Sequence, residues 1–246
     1  MLLRNTRSAL LASVALIVSG HALADPVPQA IVETVGGVPF TLPIPPGYAP
    51  PADTPPTFNS LVLHAVPPTN RLVMSMLTRQ FMGELTSADP TPRKARYLIV
   101  QTFRGVEQSG ASAAMFEQLK TVLRTQSAQV LERVKPSVDD TFDRLSADVG
   151  KMTGDSAANV RSSDQHVLGI FDEQPDSISM CVVQTLSGAV RDEKMQMKQA
   201  MAATVVRLHG QVLMVAFYSK DDSQADVGWV EDQARAWNKR VHELNP

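Results

Sequence analysis

The spacing of apolar side chains changes several times along this chain, and each change predicts a different kind of element. Apolar runs at 61–66, 71–81 and 96–103 predict strands, although the run at 71–81 also fits a helix. The run at 96–103 is nearly continuous, which indicates a strand that is buried on both faces. The run at 96–103 (RYLIVQTF) is also rich in β-branched and aromatic residues. A polar segment at 86–93 predicts a loop before it.

A helical repeat follows these runs. Between residues 116 and 149 the apolar side chains recur about every 3.6 positions, which is typical of a helix that buries one stripe. Ser112 can cap the start of this segment, and Gly150 predicts its end. Because proline disfavours helical geometry in the residue before it, Pro136 predicts a break. Residues 112–150 should therefore form two helices or one kinked helix.

Two hairpins are predicted in the second half of the chain. The apolar runs 166–171 and 178–186 flank a polar loop, which is the pattern of a hairpin with a longer connection. The runs 201–208 and 212–219 flank the short turn 209–211 and predict a second hairpin.

The last segment predicts a helix that docks on the sheet. Its apolar residues from 230 to 244 fall on one stripe, with Trp237 at the centre. Ser223 and Asp226 have the spacing of a capping box at its start, in which the serine hydroxyl accepts from the Asp226 amide and the carboxylate reaches back.

The region before residue 57 is rich in proline. Two β-prone runs, 31–35 and 38–42, flank Gly36-Gly37, and two glycines favour a tight hairpin turn because both can take positive φ. Pro39 lacks an amide donor, which predicts an edge strand. The following prolines, as far as Pro56, predict an extended segment over the surface. It could serve as a stiff connector or as a ligand for a proline-binding groove.

The order of elements indicates an α+β fold, with a single antiparallel sheet covered by helices. We divide the chain into a signal peptide at 1–24, a proline-rich arm with a β-hairpin at 25–56, and an α+β domain at 57–246.

The first residues have the pattern of a secretory signal. Arg4 and Arg7 precede an uncharged apolar run at 9–19, and Ala22-Leu23-Ala24 offers small residues before Asp25. The alternative is an uncleaved N-terminal anchor, for which the apolar run is short. We expect cleavage, a periplasmic or secreted location, and no membrane span in the mature chain.

Composition narrows the classes of partner. Removal of the signal leaves 21 basic and 25 acidic residues, a net charge of −4, and this argues against nucleic-acid binding. Cys181 is the one cysteine, so an intramolecular disulfide is impossible.

Two segments carry a family resemblance. Residues 36–48 join a glycine turn to FTLPIPPGY, and residues 212–237 join the run VLMVAFYS to a helix with two tryptophans. With the order of elements over 31–244, they resemble the Mog1/PsbP-like sandwiches, including bacterial envelope relatives of the DcrB type and small exported proteobacterial proteins without an assigned activity. The resemblance implies a binding or accessory role rather than catalysis. DcrB-type proteins are usually lipoproteins, and this chain departs from them by lacking an anchoring cysteine.

Common catalytic motifs are absent from the sequence. It contains no G-x-S-x-G elbow, no H-E-x-x-H helix, no phosphate-binding glycine loop and no C-x-x-C pair. Cys181 lies within an apolar run, which favours a buried small hydrophobe over a nucleophile. Among the histidines, we expect His64 in the core, and His209 and His242 in solvent. The carboxylates at 172–176 are expected to belong to a polar loop rather than to form a catalytic acid–base pair.

Metal sites have only scattered candidates. Met195 and Met197 would point to one face of a strand, and thioethers can ligate Cu(I). Asp221 and Asp222, with Asp226, form an oxygen-rich cluster that calcium could use, but helix capping explains Asp226 without a metal. We assign no catalytic and no cofactor-binding residue.

We therefore expect an exported, soluble binding or accessory protein of the bacterial envelope, with another envelope protein, a peptide or a small ligand as partner and no cofactor. Two alternatives stay open: a hydrolase whose site is assembled by the fold, and a periplasmic copper-handling protein that uses Met195 and Met197.

Overall fold

The computed structural model describes residues 29–85, 95–190 and 193–246. The predicted signal peptide at 1–24 and the predicted loop at 86–93 lie outside these residues. The strands are β1 (Ala30–Val35), β2 (Val38–Pro43), β3 (Asn70–Leu77), β4 (Arg96–Phe103), β5 (Asn159–Gln174), β6 (Ser177–Val190), β7 (Glu193–Leu208) and β8 (Gln211–Lys220). The helices are α1 (Pro56–Ala65), α2 (Arg79–Leu85), α3 (Arg104–Glu107), α4 (Ala113–Thr153) and α5 (Gln224–Leu244).

The fold is α+β, but the strands form two sheets rather than the single sheet that we expected. Six strands make an antiparallel sheet in the order β3-β4-β8-β7-β6-β5, and β1 and β2 pair separately. The separate hairpin is possible because Gly36 and Gly37, both at positive φ, allow β2 to turn back on β1 at once. Within the described residues, no helix has the length and apolarity needed to cross a bilayer.

Both predicted hairpins of the second half are present, and their strands are longer than predicted. The β7–β8 turn is His209-Gly210, with positive φ at both residues, and the β5–β6 turn is shortened to Pro175-Asp176. The longer strands continue into polar residues, such as 193–200 of β7, where no apolar run marks a strand. The turns of these two hairpins lie at the same end of the sheet, because Ser177 pairs with Val206 and Leu208 pairs with Gln211.

The two faces of the six-stranded sheet bury different helices. On β8, the alternate residues Leu213, Val215 and Phe217 join the core cluster beneath α5. Their neighbours on β8 face the other way, and Val212 and Met214 pack with Phe116 and Leu123 of α4. This alternation is the ordinary consequence of the two-residue period of a strand.

The arm belongs to the α5 core. Phe40, Leu42 and Tyr48 are buried there, and Trp237 Nε1 donates to the backbone oxygen of Pro43 at 3.2 Å. The expectation that the segment after β2 lies over the surface is therefore wrong for its first residues. Ile44, Tyr48 and Ala49 of this segment are buried, and burying their apolar surface removes it from water.

Two predicted features of the long helix α4 are wrong, namely the break at Pro136 and the end at Gly150. Ser112 caps it as predicted and accepts from the Met115 amide at 3.2 Å. Pro136 lies inside the helix instead of breaking it, and the distortion is at Gln126, where φ is −137°. Around Pro136 the helix is exposed, so water can bond the carbonyl that a proline leaves free. The helix ends at Thr153 rather than Gly150, because Gly154 supplies the left-handed cap.

The predicted strand at 61–66 is also wrong, because these residues form the end of α1. Proline occupies the first turn, where its missing amide costs nothing. Val62 and Val66 are four residues apart and pack on Ile99 of β4. The run at 71–81 is a strand as far as Leu77 and then enters α2.

Candidate functional site

A polar groove lies at the end of the sheet where the two hairpin turns meet the last turns of α5. It consists of two cavities of about 490 and 500 Å³, and Asp176 and His242 line both. The first is also lined by Asp172, Arg235, Asn238 and Lys239, and the second by Arg207 and His209. We call these two cavities the turn-end groove.

The register of α5 on the sheet determines which of its side chains reach the groove. Ala234, Trp237 and Val241 are buried in the core. Asn238 and His242 each follow a buried residue and are one helical turn apart, so they share a face at the margin of the apolar stripe. That margin lies beside the β5–β6 turn, where Asp172 and Ser177 meet Asn238.

Asn238 is the most constrained polar side chain of the groove. It is 2% exposed, and its Nδ2 donates to Ser177 Oγ at 2.7 Å and to Asp172 Oδ2 at 3.3 Å. Because an ionised carboxylate only accepts, the nitrogen must face Asp172 and the amide orientation is determined. Asn238 Oδ1 is then buried with no hydrogen-bond partner in the described part of the chain.

His242 presents a second such atom. Its Nε2 is buried and has no hydrogen-bond partner among the described residues. The side chain as a whole is half-buried, so the expectation of a solvated histidine is wrong. Five buried side-chain atoms lack a partner within residues 29–85, 95–190 and 193–246, and the two on α5 both belong to residues that line this groove.

The charged groups of the groove differ in how far they are already paired. Asp176 accepts from Arg207 at 2.7 and 2.9 Å. Arg235 contacts Glu231 at 3.2 Å and lies over the ring of Phe171.

Asp172 and Lys239 have the most remaining capacity. Among the residues that the structure describes, the Asp172 carboxylate accepts from Asn238 and from Gln174 alone, each at 3.3 Å. Lys239 is 81% exposed, and its ion-pair contact is with Glu243 at 4.0 Å. The groove thus offers one anion and one cation for an external partner.

The other end of α5 contains a polar cluster that the sequence predicted in part. Ser223 accepts from the Asp226 amide at 3.2 Å, as a cap should. The Asp226 carboxylate accepts from the Ser223 hydroxyl rather than its amide, from Ser219, and from Arg96 at 3.0 Å. Burial opposes ionisation of Asp226, but these hydrogen bonds and the Arg96 charge outweigh it and lower its pKa. Arg96 also lies 4.1 Å from the ring centroid of Trp229.

The predicted metal candidates lie at the opposite end of β7 from the groove. Met195 and Met197 pair with Gly188 and Leu186, so they share one face of the strand, and Met195 is exposed. Their use in copper binding stays a prediction. Within the described residues, no group of three or more His, Cys, Asp and Glu side chains could hold a metal ion.

The two aspartates of the other candidate cluster have partners within the chain. Asp222 pairs with Lys198 at 2.9 Å. Asp221 Oδ1 accepts from the Asp222 amide at 2.8 Å. Asp226 is directed to Arg96. The three carboxylates therefore make separate contacts, and the capping explanation accounts for Asp226.

The remaining candidates for chemistry are not brought together. His64 is not a core residue: its Nδ1 contacts the Asp148 carboxylate, between α1 and α4. His166 Nδ1 lies 3.2 Å from the backbone oxygen of Asp164. Neither histidine is hydrogen-bonded to a serine in the described parts of the chain. Cys181 is buried as expected, and burial, with a smaller contribution from the Glu231 carboxylate, raises its pKa to about 11.

Sequence reasoning missed the groove, although one signal was present. Asn238 is a polar residue directly beside the apolar stripe of α5, one turn after Ala234. A polar side chain at such a position indicates a buried hydrogen bond or a site. Its partners Asp172 and Ser177 are more than 60 residues away, so the pattern along α5 could not identify them.

The comparisons with known proteins give only distant similarities. No family model matches the chain, and no curated protein matches it. Among solved structures, a mutant of the protein Mog1 has 14% sequence identity and a TM-score of 0.34, with 87% of this chain and 92% of that chain covered. The Saccharomyces cerevisiae Ran-binding protein Mog1p has 13% identity and a TM-score of 0.33, with 88% and 92% covered. Sequence identities and TM-scores this low do not indicate a function for this chain.

Proposed function

We propose that this chain is an exported, non-catalytic binding protein of the bacterial envelope and that its ligand occupies the turn-end groove. The observation that carries the proposal is the buried, unpartnered Oδ1 of Asn238 in a residue that lines the groove. The signal-like residues before Asp25 support export.

The energetic argument concerns unpaired polar atoms. Leaving a buried acceptor without a partner costs about 1–3 kcal/mol, and folded proteins pair the great majority of such atoms. Here two unpaired atoms, on Asn238 and His242, lie one turn apart on one helix. A ligand that donates to Asn238 Oδ1 removes this cost, so the groove gains more from a bound molecule than an ordinary surface cleft.

The chemistry of the lining favours binding over catalysis. The lining residues in the described part of the chain include no Ser, Thr or Cys, so none can serve as a hydroxyl or thiol nucleophile. Asp176, the carboxylate that lines both cavities with His242, is already paired with Arg207. These features fit a site that holds a molecule through hydrogen bonds and charges.

Native mass spectrometry of protein purified from a periplasmic extract, without chelators, tests the proposal. We expect the mass of the chain from Asp25 plus a small-molecule adduct. The adduct should be lost in Asp172→Asn, which removes the charge but keeps the shape. It should be retained in Asp232→Asn, whose carboxylate is 78% exposed on the same helix and lies outside the groove.

Two results would contradict the proposal. One is an adduct that both variants retain equally, and the other is wild-type protein without any adduct. A copper adduct that disappears when Met195 and Met197 are replaced by Leu would support the copper-handling alternative instead.

A further inference from the structure

We propose that the ligand of the turn-end groove is a small zwitterion, a free α-amino acid or a short peptide, held by its ammonium and carboxylate groups. This inference rests on the proposed function, because it names the class of ligand for the same groove.

The acceptors of the groove select a positively charged donor. Within residues 29–85, 95–190 and 193–246, Asn238 Oδ1 has no donor, and the Asp172 carboxylate accepts two hydrogen bonds, each of 3.3 Å. Asn238 Nδ2 donates to Asp172 Oδ2, so the two side chains are neighbours in the wall of the groove. An ammonium group has three donors and no acceptor. It can therefore satisfy both groups, and the negative charge of Asp172 favours it over a neutral amide.

Lys239, which follows Asn238 on α5, supplies the positive charge for a ligand carboxylate. Lys239 lines the same cavity as Asp172, and in the described part of the chain its one carboxylate contact, with Glu243, is at the outer limit of an ion pair. Arg235 lines it too, but Glu231, Asp232 and the Phe171 ring already contact its guanidinium. Lys239 is thus the cation that can bind a ligand carboxylate without losing a strong internal contact.

The dimensions of the groove fit a ligand of this size. The first cavity is an open cleft of about 490 Å³, a volume within the range of small-molecule sites. His242 lines both this cavity and the neighbouring one, so its side chain lies at the boundary between them. The first cavity can hold an amino acid, and the neighbouring cavity gives room for a second residue of a peptide.

Isothermal titration calorimetry with four compounds tests the inference: L-alanine, L-alanyl-L-alanine, N-acetyl-L-alanine and L-alaninamide. We expect one or both zwitterions to bind, and the relative affinity of alanine and its dipeptide separates the two sources. N-acetylation removes the ammonium and amidation removes the carboxylate, and each should weaken binding by about tenfold or more, because hydrogen bonds to charged groups contribute most.

Two variants test which side chain binds the ammonium group of the ligand and which binds its carboxylate. Lys239→Gln should weaken the zwitterion but leave the amidated compound unchanged, whereas Asp172→Asn should weaken the zwitterion but leave the acetylated compound unchanged. Lys151→Gln is the control, since Lys151 is 77% exposed on α4 and outside the groove.

The inference is overturned if the blocked compounds bind as tightly as the zwitterions, or if neither zwitterion binds at millimolar concentration. An adduct without an amine, found by mass spectrometry and lost in Asp172→Asn, would overturn the zwitterion but leave the groove as the binding site. Absence of any adduct would remove both proposals.

Discussion

The two ends of α5 differ in how far their buried polar groups are hydrogen-bonded. At the first turn, Ser223 and Arg96 donate to the Asp226 carboxylate, and the Ser223 hydroxyl accepts from the Asp226 amide. Near the last turns, Asn238 Oδ1 and His242 Nε2 are buried without partners among the residues that the structure describes. One helix thus has an end whose polar groups stabilise the fold and an end with two buried polar atoms that the described residues do not satisfy. The candidate site is therefore marked by two unsatisfied polar atoms rather than by the number of charged residues.

Trp237 lies between the two ends, and its removal should have the largest effect. Replacing it with Ala removes a buried aromatic side chain and its hydrogen bond to Pro43, at an expected cost of about 3–5 kcal/mol in the free energy of unfolding. Urea denaturation measures this. Trp229→Ala is the control and should cost less, because Trp229 is only half-buried. A loss below about 1 kcal/mol for Trp237→Ala would show that α5 is not docked as described.

The capped end should affect stability and not binding. Ser223→Ala removes the side chain that accepts from the Asp226 amide, and loss of such a cap costs about 0.5–2 kcal/mol. Ligand affinity measured by calorimetry should stay the same, because the groove is at the far end of the helix. A variant with full stability but weaker binding would reverse the contrast between the two ends.

The same end should also give a pH dependence. The pKa of Asp226 is lowered in the folded protein, so its ionised form stabilises the fold above the ordinary aspartate pKa of about 3.9, and this stabilisation is lost as pH falls through the folded value. Between about pH 5 and pH 3, Asp226→Asn should therefore lose less stability than the wild type. Equal loss in urea titrations of both proteins would show that Asp226 does not contribute.

The groove end should show the smallest effect on stability. Lys239→Gln should change the free energy of unfolding by less than about 0.5 kcal/mol, as is usual for an exposed side chain. Its effect should appear in ligand affinity instead. If thermal unfolding of the ligand-free variant shows a large loss of stability, Lys239 has a structural role and the contrast with Ser223 fails.

Local patterns predicted the capped end of α5 well. The stripe around Trp237 and the spacing of Ser223 and Asp226 depend on residues within one helix, and both are confirmed. The same holds for β4 and for the Gly36-Gly37 turn, where neighbouring residues determine the conformation. Arg96, the third member of the polar cluster, is 130 residues from Asp226 and could not be predicted from spacing.

The predictions of other elements were wrong because the local sequence pattern was ambiguous or because its surroundings in the fold outweighed it. The apolar run at 61–66 suits a strand or a helix, and packing of Val62 and Val66 on Ile99 favours the helix. Pro136 breaks helices in general, but here the exposed middle of α4 tolerates it. The groove could not be predicted for a different reason. It forms where α5 packs beside the β5–β6 turn, and it is recognised by buried atoms that have no hydrogen-bond partner in the described residues.

A crystal structure of the protein purified from a periplasmic extract, without added ligands, tests the central claim most directly. We predict density for a small molecule in the turn-end groove, with a donor atom about 3 Å from Asn238 Oδ1. An Asn238 Oδ1 that accepts from a group of the chain itself, such as a rotated His242, would contradict the claim, because the atom would then be satisfied without a ligand.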